Sequence, residues 1–180
     1  MTQVILTYDP LEANFMAIAN LLNRTKQHYP FDHIAILKDG EIWEAAFKVG
    51  VRKISFEDWK IGREGTFLLI YTVPDDFFDF DLLETYMGKE YDLKAILNIL
   101  RNRFDKLKKN ADDKIFCSEF YAIGRRHPEP YLWSPGRCEI ELSNLQQYSG
   151  NSDYSLRTQL IPSKKPNILL GEGVGQLLLE

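Results

Sequence analysis

The stretch Asp32-His33-Ile34-Ala35-Ile36-Leu37-Lys38-Asp39-Gly40-Glu41-Ile42-Trp43-Glu44-Ala45-Ala46 decides how this chain is read. Two short β-prone runs flank an Asp-Gly pair, the strongest short-range signal for a hairpin. With Asp39-Gly40 as the turn, Lys38 pairs with Glu41, Leu37 with Ile42, Ile36 with Trp43, Ala35 with Glu44 and His33 with Ala46. Side chains alternate between the faces of a strand. His33, Ala35 and Leu37 therefore share a face with Ile42, Glu44 and Ala46. Glu44 is then the diagonal neighbour of His33, about 7–8 Å away at the backbone and within reach of long side chains. A three-residue loop would move Glu44 to the other face.

Outward from the hairpin, Gln3 to Tyr8 alternates as a strand, and Leu11 to His28 carries Leu11, Phe15, Ile18 and Leu22 at helical spacing before Pro30. Gly50 to Ile54 is a further short strand. Thr66 to Val73 is an apolar run between Gly65 and Pro74 and reads as a buried strand. Helices are expected over Phe80 to Met87, closed by Gly88, and over Leu93 to Leu107. Lys106 to Lys114 is polar and charged, a loop. Cys117 to Arg126 is a short helix ended by His127-Pro128. Beyond it, Pro130, Trp133 and Pro135-Gly136 read as loop, and Glu139 to Leu142 as strand. From Ser149 to Pro166 the chain is polar and irregular, and residues 167–180 carry leucines among glycines. These signals predict an α+β domain over 1–148 and a C-terminal arm over 149–180, packed on the domain or on a protein partner.

The bulk properties narrow the function. The 180 residues fit one domain; 44% are hydrophobic and 27% charged, the ordinary globular mix. A net charge of −4 argues against a non-specific nucleic-acid binder, which would present a basic face. Two cysteines, Cys117 and Cys138, are too few for a disulfide scaffold. The N-terminal stretch lacks the basic and apolar regions of a secretory signal, and no apolar run approaches the ~20 residues that span a bilayer. The expectation is a soluble protein, cytoplasmic or particle-associated. His28 and His127 are not spaced for zinc, and no glycine loop for phosphate is present; neither metal nor cofactor is expected.

Chemistry concentrates at Cys117. It follows Lys114-Ile115-Phe116 and opens a helix with Phe120, Tyr121 and Gly124 on its stripe. A helix N-terminus stabilises a thiolate, and its free N–H groups can serve an oxyanion. A carboxylate beside an imidazole fixes the tautomer and steadies the imidazolium. Each residue also has a plainer reading. A lone Cys on an apolar helix is most often a small buried hydrophobe, a strand His is most often a satisfied core or rim residue, Asp92 suits a helix N-cap before Leu93, and Glu119 suits the dipole of a first turn.

Four segments together resemble a known family. The His33 hairpin with Gly50-Val51 resembles the His-bearing hairpin of NlpC-type cysteine hydrolases. Phe116-Cys117-Ser118-Glu119-Phe120 resembles the Cys-Ser-Glu-apolar nucleophile motif of the circularly permuted branch, and Gly88-Lys89-Glu90-Tyr91-Asp92 its Gly-x-x-Tyr-Asp segment. The order His, polar residue, Gly-Tyr-Asp, Cys is the permuted one. The resemblance covers Gln3 to Arg126; Asp32 stands where the family usually has Ser, and nothing after Pro128 matches.

The resemblance implies a papain-like fold in which the nucleophile-bearing helix packs on an antiparallel sheet. It implies Cys117 as nucleophile, His33 as general base and Glu44 as orienter, with Tyr91 and Ser118 lining the substrate or oxyanion region. The expected substrate is a peptide, a peptidoglycan fragment or another acyl compound. The rival expectation is a non-catalytic structural protein, such as a virion or tail component, that retains the fold.

Overall fold

The computed structural model describes residues 1–8, 31–95, 114–148 and 154–162. The expected helix from Leu11 to His28, most of that from Leu93 to Leu107, nearly all of the expected loop after it, and residues 167–180 lie outside them.

The chain forms a mixed α+β structure around a six-stranded antiparallel sheet. Strands β1 (Thr2–Tyr8), β2 (His33–Lys38), β3 (Glu41–Ala46) and β4 (Gly50–Ser55) are followed by helix α1 (Phe56–Lys60), strand β5 (Phe67–Val73) and helix α2 (Phe80–Glu84). Then come β6 (Glu90–Tyr91), β7 (Lys114–Ile115), α3 (Cys117–Gly124), a 3-10 turn (Pro130–Leu132), α4 (Pro135–Tyr148) and β8 (Ser155–Leu160). The sheet order is β4-β3-β2-β1-β5-β8, and β6 and β7 form a separate parallel pair.

Asp39 and Gly40 both take positive φ, 51° and 85°, the twist of a type I′ turn that suits two right-twisted strands. The turn sets the expected register: Lys38 opposes Glu41, Leu37 opposes Ile42 and Ile36 opposes Trp43. Period-two alternation then divides the core. Val4, Leu6, Ile34, Ile36, Trp43 and Ala45 face α3 and the aromatic side chains around α2. Ile5, Ala35, Ile42 and Ile70 face Trp59 on the opposite side. Helix α3 is buried along its whole length and lies against β2 and β3, so burial extends beyond the stripe of Cys117, Phe120, Tyr121 and Gly124 to the polar Ser118 and Glu119.

Several segments depart from the sequence reading: α2 ends at Glu84 rather than Met87, and the short pair β6 and β7 is not expected. Residues 135–148 form a helix, not a loop with a strand over Glu139 to Leu142. Pro135 sits in its first turn, where the missing N–H costs nothing, and Ser134 Oγ accepts from the Arg137 N–H at 3.2 Å as a cap. Cys138 and Leu142 are fully buried, four residues apart on one helix face. The short α1 was not expected; Ser55 caps it by accepting from the Asp58 N–H. Within the C-terminal arm, Ser155–Leu160 is a regular strand that extends the sheet beyond β5. Its six side chains are all exposed, which explains why no alternation of polar and apolar residues announces it.

Candidate active site

Sheet register brings the first two residues of the site together. His33 opens β2, directly opposite Thr7 of β1. Asp32 anchors this end: its backbone N–H donates to the Thr7 carbonyl, and its carboxylate accepts from the Thr7 hydroxyl at 2.6 Å. The His33 Nε2 lies 2.7 Å from Glu44 Oε2, the diagonal contact that the hairpin arithmetic anticipates.

Glu44 is wholly buried, and a buried carboxylate survives only if it is paired and hydrogen-bonded. Arg52 supplies two donors to Oε1, from Nε at 3.0 Å and Nη2 at 2.7 Å. Trp59 Nε1 donates to Oε2 at 2.9 Å, and the Arg63 guanidinium stands 3.7 Å from the same oxygen while stacking on the Trp59 ring. Burial alone would raise the Glu44 pKa; the His33, Trp59 and Arg52 contacts overcome it and hold the carboxyl well below the usual range. Arg52, Trp59 and Arg63 were not singled out from sequence. Arg52 was within reach of the same arithmetic, because β3 pairs with β4 so that Glu44 opposes Arg52.

The thiol arrives from a different direction. The parallel pair of β6 with β7 sets Tyr91 beside Ile115, and the chain passes through Phe116 into α3 with Cys117 as its first residue. The Cys117 sulfur lies close enough to the His33 ring and to the Tyr91 hydroxyl to influence the ionisation of both. Because Nε2 faces Glu44, Nδ1 is the ring nitrogen left for the sulfur. Burial works to lower the His33 pKa, but the Cys117 and Glu44 contacts prevail and push it up to about 10. Burial and the adjacent sulfur push the Tyr91 hydroxyl well above its ordinary value, so it remains a donor. Cys117 packs with the cluster on the α3 side of the sheet, whereas Trp59, the partner of Glu44, belongs to the other side. His33, at the end of its strand, touches both.

The remaining motif residues are structural. The Ser118 hydroxyl is buried and donates to the Trp133 carbonyl at 3.0 Å. Glu119 lies in the first turn of α3, near the backbone of its N-cap Phe116. Burial pushes its carboxyl up to about 8; the Phe116 bond and Lys89 oppose the rise, and Asp92 adds to it. Asp92 caps the helical turn that begins at Leu93, accepting from the Ala95 N–H at 2.8 Å.

Elsewhere, His127 stacks on Trp133 with ring centroids 3.9 Å apart and sits 3.1 Å from Glu141. It borders a shallow depression with Asp79, Ile123 and Arg126 at the C-terminal end of α3, the end remote from Cys117. Among the described residues, no cluster of His, Cys, Asp and Glu could hold a metal ion, and no helix is long and apolar enough to cross a membrane. No family model, curated protein or solved structure matches the chain.

Proposed function

We propose that this chain is a cysteine hydrolase of the circularly permuted, papain-like NlpC type, which cleaves an amide or ester bond through Cys117, His33 and Glu44. The observation that carries this reading is the 2.7 Å contact between Glu44 and His33, with the Cys117 sulfur and the Tyr91 hydroxyl beside that pair. The thiol, the imidazole and the phenol come from three different elements, an arrangement that a plain structural core has no need of.

In the proposed reaction, the nucleophile is the thiolate form of Cys117, beside the His33 imidazolium. The sulfur attacks the scissile carbonyl carbon and a C–S bond forms. The carbonyl oxygen takes the negative charge and is met by the Tyr91 hydroxyl and by first-turn N–H groups of α3, which by helix geometry have no intrahelical carbonyl. His33 gives its proton to the departing amine or alcohol as the bond to it breaks. Water then attacks the thioester, His33 takes a proton from it, and the acid departs as the thiol is restored. Glu44 steadies the imidazolium throughout. Peptidoglycan-peptide amides are the first substrate class that the family resemblance suggests, and other acyl compounds the second.

The second reading is a structural or particle-associated protein that retains the fold without turnover. One observation stands on its side: Cys117 is only 4% exposed. Mass spectrometry after incubation with a p-nitrophenyl ester separates the two. The hydrolase gives an acyl adduct on Cys117 that decays in water and is missing from Cys117→Ala. A protein in which Cys117 never acquires the acyl group is not a hydrolase of this kind.

A further inference from the structure

The turn between β3 and β4 places two large apolar side chains in solvent next to the site. Phe47 is 42% and Val49 59% exposed, and both lie in the three-residue loop closed by the Ala46–Gly50 pair. The loop has a fixed position. Gly50 has φ of +94°, and a Cβ there would stand 2.3 Å from the Lys89 carbonyl oxygen, so the backbone approaches as only glycine allows. The Val51 N–H donates to that same carbonyl at 2.8 Å, and the Gly88 N–H donates to the Val51 carbonyl at 2.9 Å. These bonds tie the loop to the segment that leads into Tyr91. In the loop, the Phe47 ring meets the Tyr91 ring edge-on, with centroids 5.7 Å apart, and the Tyr91 hydroxyl lies near enough to Cys117 to be influenced by it.

Exposed apolar residues scattered singly need no explanation. These two share one turn, braced at its base, and one of them touches Tyr91, which lies beside the nucleophile. We propose that Phe47 and Val49 form an apolar subsite beside Cys117, which takes an apolar group carried on the scissile carbonyl. The inference rests on the hydrolase reading and specifies its substrate class: the acyl portion is aliphatic or aromatic, not charged. A chain attached to the carbonyl covers the exposed faces of Phe47 and Val49 as the carbonyl reaches the sulfur, and the gain scales with the apolar area removed from water.

The test uses the full chain with p-nitrophenyl acetate, butyrate and hexanoate. Each acylation of Cys117 forms one thioester and releases one p-nitrophenolate, and water then frees the acid. With rates normalised to the reaction of each ester with free N-acetylcysteine, acylation of the wild type rises about tenfold from acetate to hexanoate. In Phe47→Ser and in Val49→Ser the hexanoate-to-acetate ratio falls severalfold. In Ile61→Ser, which removes an exposed apolar side chain from a different turn, the ratio stays at the wild-type value. A flat wild-type series, or an undiminished ratio in both loop variants, overturns the subsite while leaving an acylated Cys117 and the hydrolase reading intact. Failure of every ester to modify Cys117 overturns the hydrolase reading and the subsite together.

Discussion

Glu44 and Arg52 sit directly opposite each other on neighbouring strands, and Arg52 grips one carboxylate oxygen with two nitrogens, at 2.7 and 3.0 Å. The other oxygen is thereby left to His33 and Trp59. The grip determines where the charge of Glu44 lies and which side of it the imidazole sees.

Replacing Glu44 with Gln therefore disturbs two relationships. The amide cannot steady an imidazolium, and one of its two polar atoms is a donor facing donors. Hydrolysis is expected to fall by on the order of 10²-fold or more, as when the orienting carboxylate of a triad is lost. Steady-state kinetics on a p-nitrophenyl ester measure it. Unchanged turnover would remove Glu44 from the site.

Arg52→Met leaves Glu44 in place but takes away its bidentate partner. Removing one member of a fully buried ion pair costs about 3–5 kcal/mol. Arg52 is about one-third exposed and His33, Trp59 and Arg63 remain, so the expected loss is smaller, about 2 kcal/mol, read from urea unfolding. The acidic limb of the pH–rate profile should move to higher pH, because Glu44 protonates more easily without the guanidinium. A stability loss with an unmoved profile would make Arg52 a purely structural partner.

The two halves of the site differ in how far sequence arithmetic reaches. Contact between His33 and Glu44 is local: one Asp-Gly turn and a period of two suffice, and Arg52 follows by extending the same register one strand further. Contact between His33 and Cys117 depends on α3 packing against β2, which no spacing encodes; only the family resemblance pointed to it. The misread segments fail for physical reasons. In α4, Pro135-Gly136 looks like a turn until Ser134 is seen to cap a helix, and β8 lies along an edge with its side chains in water, where no alternation is required.

The two thiols should differ in reactivity despite similar exposure. Cys138 lies within α4, not in a loop as its flanking Pro-Gly suggests, and burial pushes its pKa well above the ordinary thiol value. Cys117 lies beside the His33 imidazole. Iodoacetamide at pH 7 should modify Cys117 at least tenfold faster than Cys138, by mass-spectrometric peptide mapping. Equal rates, or labelling of Cys138 alone, would mean that the thiol is not activated.

Stability should decline on the alkaline side. His33 keeps its proton in the folded state up to about pH 10, whereas the unfolded chain releases it near 6.5. Its contribution is complete below pH 6.5 and disappears as the pH rises to 10. Glu119, held protonated up to about pH 8, adds a loss that starts at the unfolded value near 4.5. Glu44 works in the opposite sense: its depressed pKa contributes above about 4.5 and fails as the solution is acidified below that. Thermal melts from pH 5 to 10 should show Tm falling through this range. Glu119→Gln should flatten the fall between pH 5 and 8 while leaving that between 8 and 10. An identical slope in the variant would rule out Glu119 as its source.

Removal of residues 149–180 tests whether the C-terminal arm belongs to the core. The deletion strips β8 from β5 and leaves β5 as the new edge, with its N–H and C=O groups open to water or to another chain. The loss in side-chain burial is modest for the strand itself, since all six of its residues are exposed. Ile161 is the exception: it is 4% exposed and joins the cluster around Trp59, the residue that donates to Glu44. Withdrawing one such side chain costs about 2–3 kcal/mol. Tyr154 is lost as well, and with it a ring contact to Phe77 at 6.2 Å. The shortened chain should still melt cooperatively but at a lower Tm, and Ile161→Ala in the full chain should reproduce part of the shift. The Trp59 indole links this packing to the site, so the deletion should also lower turnover more than a remote surface change does. A melt without a cooperative transition would show that the sheet cannot close without β8 and that the arm is an integral part of the domain.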